Sequence, residues 1–169
     1  VRRECRCERI AFTAGHDASS PTRHILIARD GGCRVQLGSA LMDLGELHPH
    51  EATTPQRVRK SAHMHVRWGA MRSRVVVDAV DHLVLDGHHR LAVARRLGLR
   101  CVPVLLVDPN TLQVERRGTH EPISHAEVVA YVRTHGVMPA RSTKYDLSGL
   151  DVTCEVALDR LRHPAGGSP

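Results

Sequence analysis

One stretch restricts the possible folds more than any other, residues 83–107. Leu83, Val84 and Leu85 form a short apolar run, and five polar or glycine residues follow it, Asp86-Gly87-His88-His89-Arg90. Leu91, Ala94 and Leu97 then recur at helical spacing, with Gly98 standing where a helix C-terminal stop belongs. Residues 102–107 resume as a second apolar run, Val-Pro-Val-Leu-Leu-Val. Strand, helix and strand in that order predict a βαβ unit, with segments 82–85 and 102–107 parallel and the crossover right-handed. A chain built around such a unit belongs to the α/β class.

The rest of the chain supplies elements to surround that unit. Arg23 to Arg29, the turn Asp30-Gly31-Gly32 and Cys33 to Leu37 read as a β-hairpin, since the glycines supply the positive φ angles of a tight reversal. Thr54 followed by Pro55 marks the start of a helix over 55–65. Val75-Val76-Val77 forms another short strand, separated by a turn near residues 79–81 from the strand at 82–85. Ser124 and Glu127 make a capping box for a helix carrying Val128, Val129 and Val132, with Gly136 as its stop. Residues 138–145 show no clear period. A length of 169 residues suits one domain, here expected over 23–160, with flexible tails at 1–22 and 161–169.

Composition excludes several classes. Hydrophobic residues make up 41% and charged residues 25%, a globular balance that rules out wholesale disorder. No apolar run approaches the ~18 residues of a membrane span, and no apolar stretch follows the charged start, so a cytoplasmic protein without membrane association is expected. Five cysteines at irregular spacing argue against a disulfide framework. The formal charge of +6 invites a nucleic-acid reading. Against it, aromatic residues are 2% of the chain and the arginines are scattered rather than clustered. Specific nucleic-acid binding is therefore not expected.

The chemistry concentrates at residues 86–90. The first N–H groups of a helix lack intrahelical partners and the macrodipole makes that end partly positive. Gly87 removes a side chain at the turn, and His88, His89 and Arg90 add donors, so an anion site suited to phosphate is expected. A Walker A loop is missing, as neither Lys60 nor Lys144 follows a glycine. The motifs of the eukaryotic-type protein kinases are missing as well.

The run from Val84 to Gly98 resembles the signature of the ParB/sulfiredoxin superfamily. At this turn the ParB branch, which binds CTP and works on DNA, carries G-E-R-R, and the sulfiredoxin branch carries G-C-H-R. The G-H-H-R of this chain, after Asp86, is similar to the free serine kinase branch, and His88 stands where the sulfiredoxin nucleophile would be. Two weaker stretches lie in the family's order, His48-Pro49-His50-Glu51 before the first helix and Ser142-Thr143-Lys144-Tyr145 after Pro139. The resemblance covers roughly residues 34 to 147. It implies a single ParB/sulfiredoxin-like domain with a small mixed sheet, a βαβ unit and flanking helices.

It also implies a phosphotransferase using ATP or ADP with Mg²⁺, whose acceptor is the hydroxyl of a free amino acid, most simply L-serine. The resemblance implies Glu51 as catalytic base, with Gly87, His88, His89 and Arg90 holding the donor's phosphates. Asp86 either binds Mg²⁺ or orients the acceptor hydroxyl. Ser142, Thr143 and Lys144 are the candidate substrate contacts. Tyr145 replaces the family's usual histidine, which leaves the acceptor open. The rival reading is a ParB-like nucleotide-dependent DNA-binding or nuclease module.

Overall fold

Residues 75–77 and 101–107 are apolar without alternation, which suits strands covered on both faces. The computed structural model, which describes residues 7–12, 23–28 and 36–164, shows that arrangement. In chain order the elements are β1 (Cys7–Phe12), β2 (Arg23–Ala28), β3 (Gln36–Asp43), β4 (His48–Pro49), α1 (Pro55–Trp68), β5 (Ala70–Ser73), β6 (Val75–Asp78) and β7 (Leu83–Asp86). They continue with α2 (His88–Arg96), β8 (Cys101–Val107), β9 (Val114–Arg116), α3 (His125–His135), β10 (Thr143–Tyr145), β11 (Thr153–Ala157) and α4 (Leu158–Arg162).

The central sheet has five strands in the order β3-β8-β6-β7-β4. Successive side chains point to opposite faces, so Val75 and Val77 join one core with Leu91, Leu158 and Leu161, beneath α2 and α4. Val76 joins the other core, with Ile123, Val128 and Tyr145 on the side of α3 and β10. The α/β class and the mixed sheet expected from the sequence are both present.

Two expected pairings are corrected. β7 and β8 are not neighbours; β6 lies between them, antiparallel to β7 and parallel to β8. The short link at 79–82 forces β6 and β7 into a hairpin, since only antiparallel strands can be joined so tightly. That leaves the far edge of β6 for β8, so the parallel crossover through α2 joins β6 to β8, with Val75 opposite Val104. The second correction concerns the amino-terminal hairpin. β2 pairs with β1, a strand not expected from the sequence, and β3 pairs with β8. The turn Asp30-Gly31-Gly32 lies outside the described residues. The expected tail over 1–22 contains β1. At the other end Leu161 is fully buried and its carbonyl accepts from Arg100 N at 2.9 Å, so packing continues past residue 160.

The helix signals hold. α1 extends to Trp68, three residues past its expected end, and closes at Gly69 with φ 66°. Ser124 and Glu127 cap α3 reciprocally. Among the described residues no helix is long and apolar enough to cross a membrane.

Candidate active site

The site begins where β7 ends. Leu83, Val84 and Leu85 are buried, and Asp86, the last residue of the strand, carries its side chain out to 47% exposure. Gly87 then turns the chain with φ 98°, a left-handed conformation that disfavours a side chain, and α2 starts at His88 with no side-chain cap and no acidic residue in its first turn. Arg90 folds back over this turn. Its Nη2 donates to Asp86 Oδ2 at 2.5 Å and its Nη1 to Ser73 Oγ of β5. A Cβ on Gly87 would lie 2.8 Å from Arg90 Nε and Nη2. The glycine therefore makes room for the arginine as well as for the turn.

The two histidines of the motif separate. His89 is partly exposed, and Thr54 at the start of α1 approaches its Nε2 at 3.3 Å through both backbone N and Oγ1. Burial, then the Arg57 charge, holds the His89 imidazole below its usual range. His88 is 7% exposed with Nε2 turned inward, 3.2 Å from His50 Nδ1. Burial, then the neighbouring His50, pushes His88 down to about 4, so it is neutral at physiological pH.

Behind this turn lies a buried polar group drawn from three distant segments. His50 is fully buried; its Nδ1 donates to the Val84 carbonyl at 2.5 Å and its Nε2 lies 2.8 Å from Thr143 Oγ1. Glu51, 8% exposed, uses both oxygens: Oε1 accepts from Thr143 N at 2.6 Å and Thr143 Oγ1 at 2.7 Å, and Oε2 accepts from Arg141 N at 3.0 Å. Backbone bonds reinforce the junction, from Met138 N to the His50 carbonyl and from Ala52 N to the Met138 carbonyl, both 2.8 Å. Glu51 is tied through Thr143 to His50, whose Nδ1 lies 3.2 Å from His88 Nε2, while Asp86 is bound to Arg90 of the same helix start.

The third motif is divided by the alternation of β10. Thr143 and Tyr145 face inward, whereas Lys144 faces out and meets Glu115 Oε1 at 3.4 Å. Lys144 lines a cleft of about 750 Å³ with Glu115, His120 and His125. A second cleft of about 590 Å³ is lined by Asp78, His125 and Arg133 among others. Residues 86–90 line neither. Ser142 is half-buried and donates to the Pro139 carbonyl at 2.5 Å. The structure thus brings Glu51, Asp86, His88, His89, Arg90 and Thr143 to one region and turns Lys144 away from it.

Sequence reasoning passed over His50, Thr54 and Ser73 as site residues, and the pair His125 and Asp78. His125 joins Tyr145 OH through Nδ1 at 3.0 Å and Asp78 Oδ2 through Nε2 at 3.4 Å. Burial raises the Tyr145 phenol, which stays protonated. The adjacency of His50 to Glu51 was the one signal available in the chain. The other partners lie too far off in sequence for any spacing rule. No cluster of three His, Cys, Asp or Glu side chains placed to hold a metal occurs among the described residues.

No family model matches the chain. An ATP-dependent L-serine kinase of Staphylothermus marinus is 32% identical over 72 residues, covering 40% of this chain and 29% of the relative. A ParB-like protein of Sulfolobus acidocaldarius is 33% identical over 72 residues, covering 43% of this chain and 36% of the relative. The chain therefore matches about a third of the length of these curated relatives. Among solved structures, SbnI with a C-terminal truncation, from Staphylococcus aureus, superposes with a TM-score of 0.62 at 17% identity, covering 75% of this chain and 90% of that one. A free serine kinase in complex with AMP gives 0.59 at 12% identity, covering 73% and 93%. These likenesses bear out the fold and the resemblance to ParB-like proteins.

Proposed function

From this ParB-like fold we propose that the chain is a small-molecule kinase. It moves a phosphoryl group from ATP or ADP to the hydroxyl of a free amino acid, most simply L-serine, giving O-phospho-L-serine. The observation that carries the reading is the uncapped start of α2, set between Asp86 and Arg90, with Glu51 linked to it through Thr143, His50 and His88. Phosphoryl transfer needs positioned anions, cations against the developing charge and a proton acceptor, and these residues supply each. The likeness to a curated ATP-dependent L-serine kinase and to a free serine kinase with bound AMP supports it.

In this reading the first-turn amides of α2, His89 and Arg90 grip the donor's phosphates. His88, with Nε2 inward, positions that turn. Asp86 is half-exposed with one oxygen on Arg90, and it is the carboxylate that would hold Mg²⁺. That ion commonly takes one or two protein carboxylates beside phosphate oxygens and water. Bound there, it would neutralise phosphate charge. Glu51 has three of about four acceptor positions occupied, and the acceptor's proton passes to this carboxylate. Ser142 and Thr143 border the acceptor, while Lys144, on the outer face, acts on it only from the rim.

The test is incubation of the protein with L-serine, and in parallel L-threonine and L-homoserine, with ATP and separately ADP, followed by mass spectrometry for the O-phosphorylated amino acid. Product with either donor supports the reading; no phosphorylated serine, threonine or homoserine with either donor overturns it. The charge of +6 and the ParB-like relative favour, as a second reading, a nucleotide-dependent DNA-binding or nuclease module.

A further inference from the structure

We infer that His50, Thr143 and Glu51 act as one proton-accepting unit, with His50 as the positioning residue that holds it to β7. The inference rests on counting hydrogens. A carbonyl only accepts, so the 2.5 Å contact to Val84 requires a hydrogen on His50 Nδ1. Thr143 has a single hydroxyl hydrogen, yet Oγ1 lies 2.7 Å from Glu51 Oε1 and 2.8 Å from His50 Nε2. With Glu51 ionised and His50 neutral, both of those atoms are acceptors, and one of the two short contacts has no hydrogen to fill it. One added proton removes the conflict in either place. On His50 Nε2 it donates to Oγ1 while the hydroxyl donates to Glu51; on Glu51 Oε1 it donates to Oγ1 while the hydroxyl donates to His50. The unit is therefore one hydrogen short until it takes up a proton.

The surroundings favour the deficient form at rest. Against His50 lie Glu51, Val84 of β7, His88 of α2, and Thr143 and Tyr145 of β10, and the charges of His125 and Asp86 act on it without a contact. Burial, the largest influence, holds the His50 imidazole below its ordinary range. His88 Nε2 lies 3.2 Å from His50 Nδ1, whose one hydrogen is already given to Val84, and burial keeps the His88 ring neutral. Tied to the proposed kinase reading, the consequence is chemical. As the acceptor's oxygen bonds to phosphorus, its O–H bond breaks and the nucleotide oxygen leaves with the P–O electron pair. The released proton then completes the His50–Thr143–Glu51 set.

Long-range ¹H–¹⁵N spectra of the histidine rings in the full chain test this without any substrate. His50 is expected to keep its hydrogen on Nδ1 throughout and to gain one on Nε2 as the pH falls. Glu51→Gln should move that midpoint down by roughly one pH unit, as a negative neighbour is lost, and Thr143→Val should abolish the downfield hydroxyl resonance with the fold kept. A His50 ring bearing its hydrogen on Nε2 with Nδ1 bare overturns the inference, as does a midpoint unmoved by Glu51→Gln. The wild-type tautomer decides the matter if either variant fails to fold. The predicted tautomer and coupling without any O-phosphoserine would overturn the kinase reading alone, whereas O-phosphoserine with the opposite tautomer would overturn the unit alone.

Discussion

His88 carries a price in acid that can be read from its surroundings. Its unfolded form titrates near 6.5 and its buried, folded form only near about 4. Between those values the unfolded state binds more protons, so stability falls as the pH drops through that window. The full loss is roughly 3 kcal/mol, and His50 acts in the same direction. Denaturant unfolding across this range should show a steep acid limb that His88→Gln flattens. Glu51→Gln sets an amide NH₂ against backbone donors at Thr143 or Arg141. The expected cost is about 1–3 kcal/mol of stability, with phosphoryl transfer down by ~10²–10⁴. Thermal melts and single-turnover transfer measure the two separately. Arg90 spans Ser73 and Asp86 with different nitrogens, a fork that lysine lacks. Titration calorimetry with ATP or ADP should find Arg90→Lys nearly as weak as Arg90→Ala.

Among the elements, α2 depends most on its first turn. Gly87→Ala forces a side chain into φ 98° and against the Arg90 guanidinium, which should cost about 1–3 kcal/mol and displace Arg90 from Asp86. A lower melting temperature together with weaker nucleotide binding is the expected pair of results. The elements whose ends are chemically marked were readable in the sequence: α1 by Thr54-Pro55, α2 by Gly98, α3 by its Ser124–Glu127 box. Those without such marks were not. β10 has three residues and β9 three, too short for a period of two to show, and β11 and α4 sit in a polar stretch whose burial comes from partners elsewhere. The polar turn at residues 86–90 was visible as the densest cluster in the chain. What His50 touches was not, because Thr143 lies 93 residues away.

For the whole molecule, the class of fold followed from apolar runs and spacing, while the strand order did not. Local pattern cannot say that β6 intervenes between β7 and β8, since both arrangements bury the same valines. Net charge acts at this scale too. With +6 spread over the surface and two carboxylates beside the site, DNA affinity should be weak, independent of sequence and lost by ~200 mM salt; fluorescence anisotropy over a salt series measures it. Tight binding to a defined sequence at that salt would favour the DNA-binding reading instead. The junction of residues 50–52, 84 and 138–143 has a further consequence for how the chain acquires activity. It closes loops of 34 and 93 residues, and contacts of such long range form late and slow folding. The β6–β7 hairpin and α2 can therefore assemble before Glu51 has any partner. During refolding, protection of the Thr143 amide from hydrogen exchange should lag behind that of Val77 and Ala94, and its appearance marks the moment the chain becomes competent.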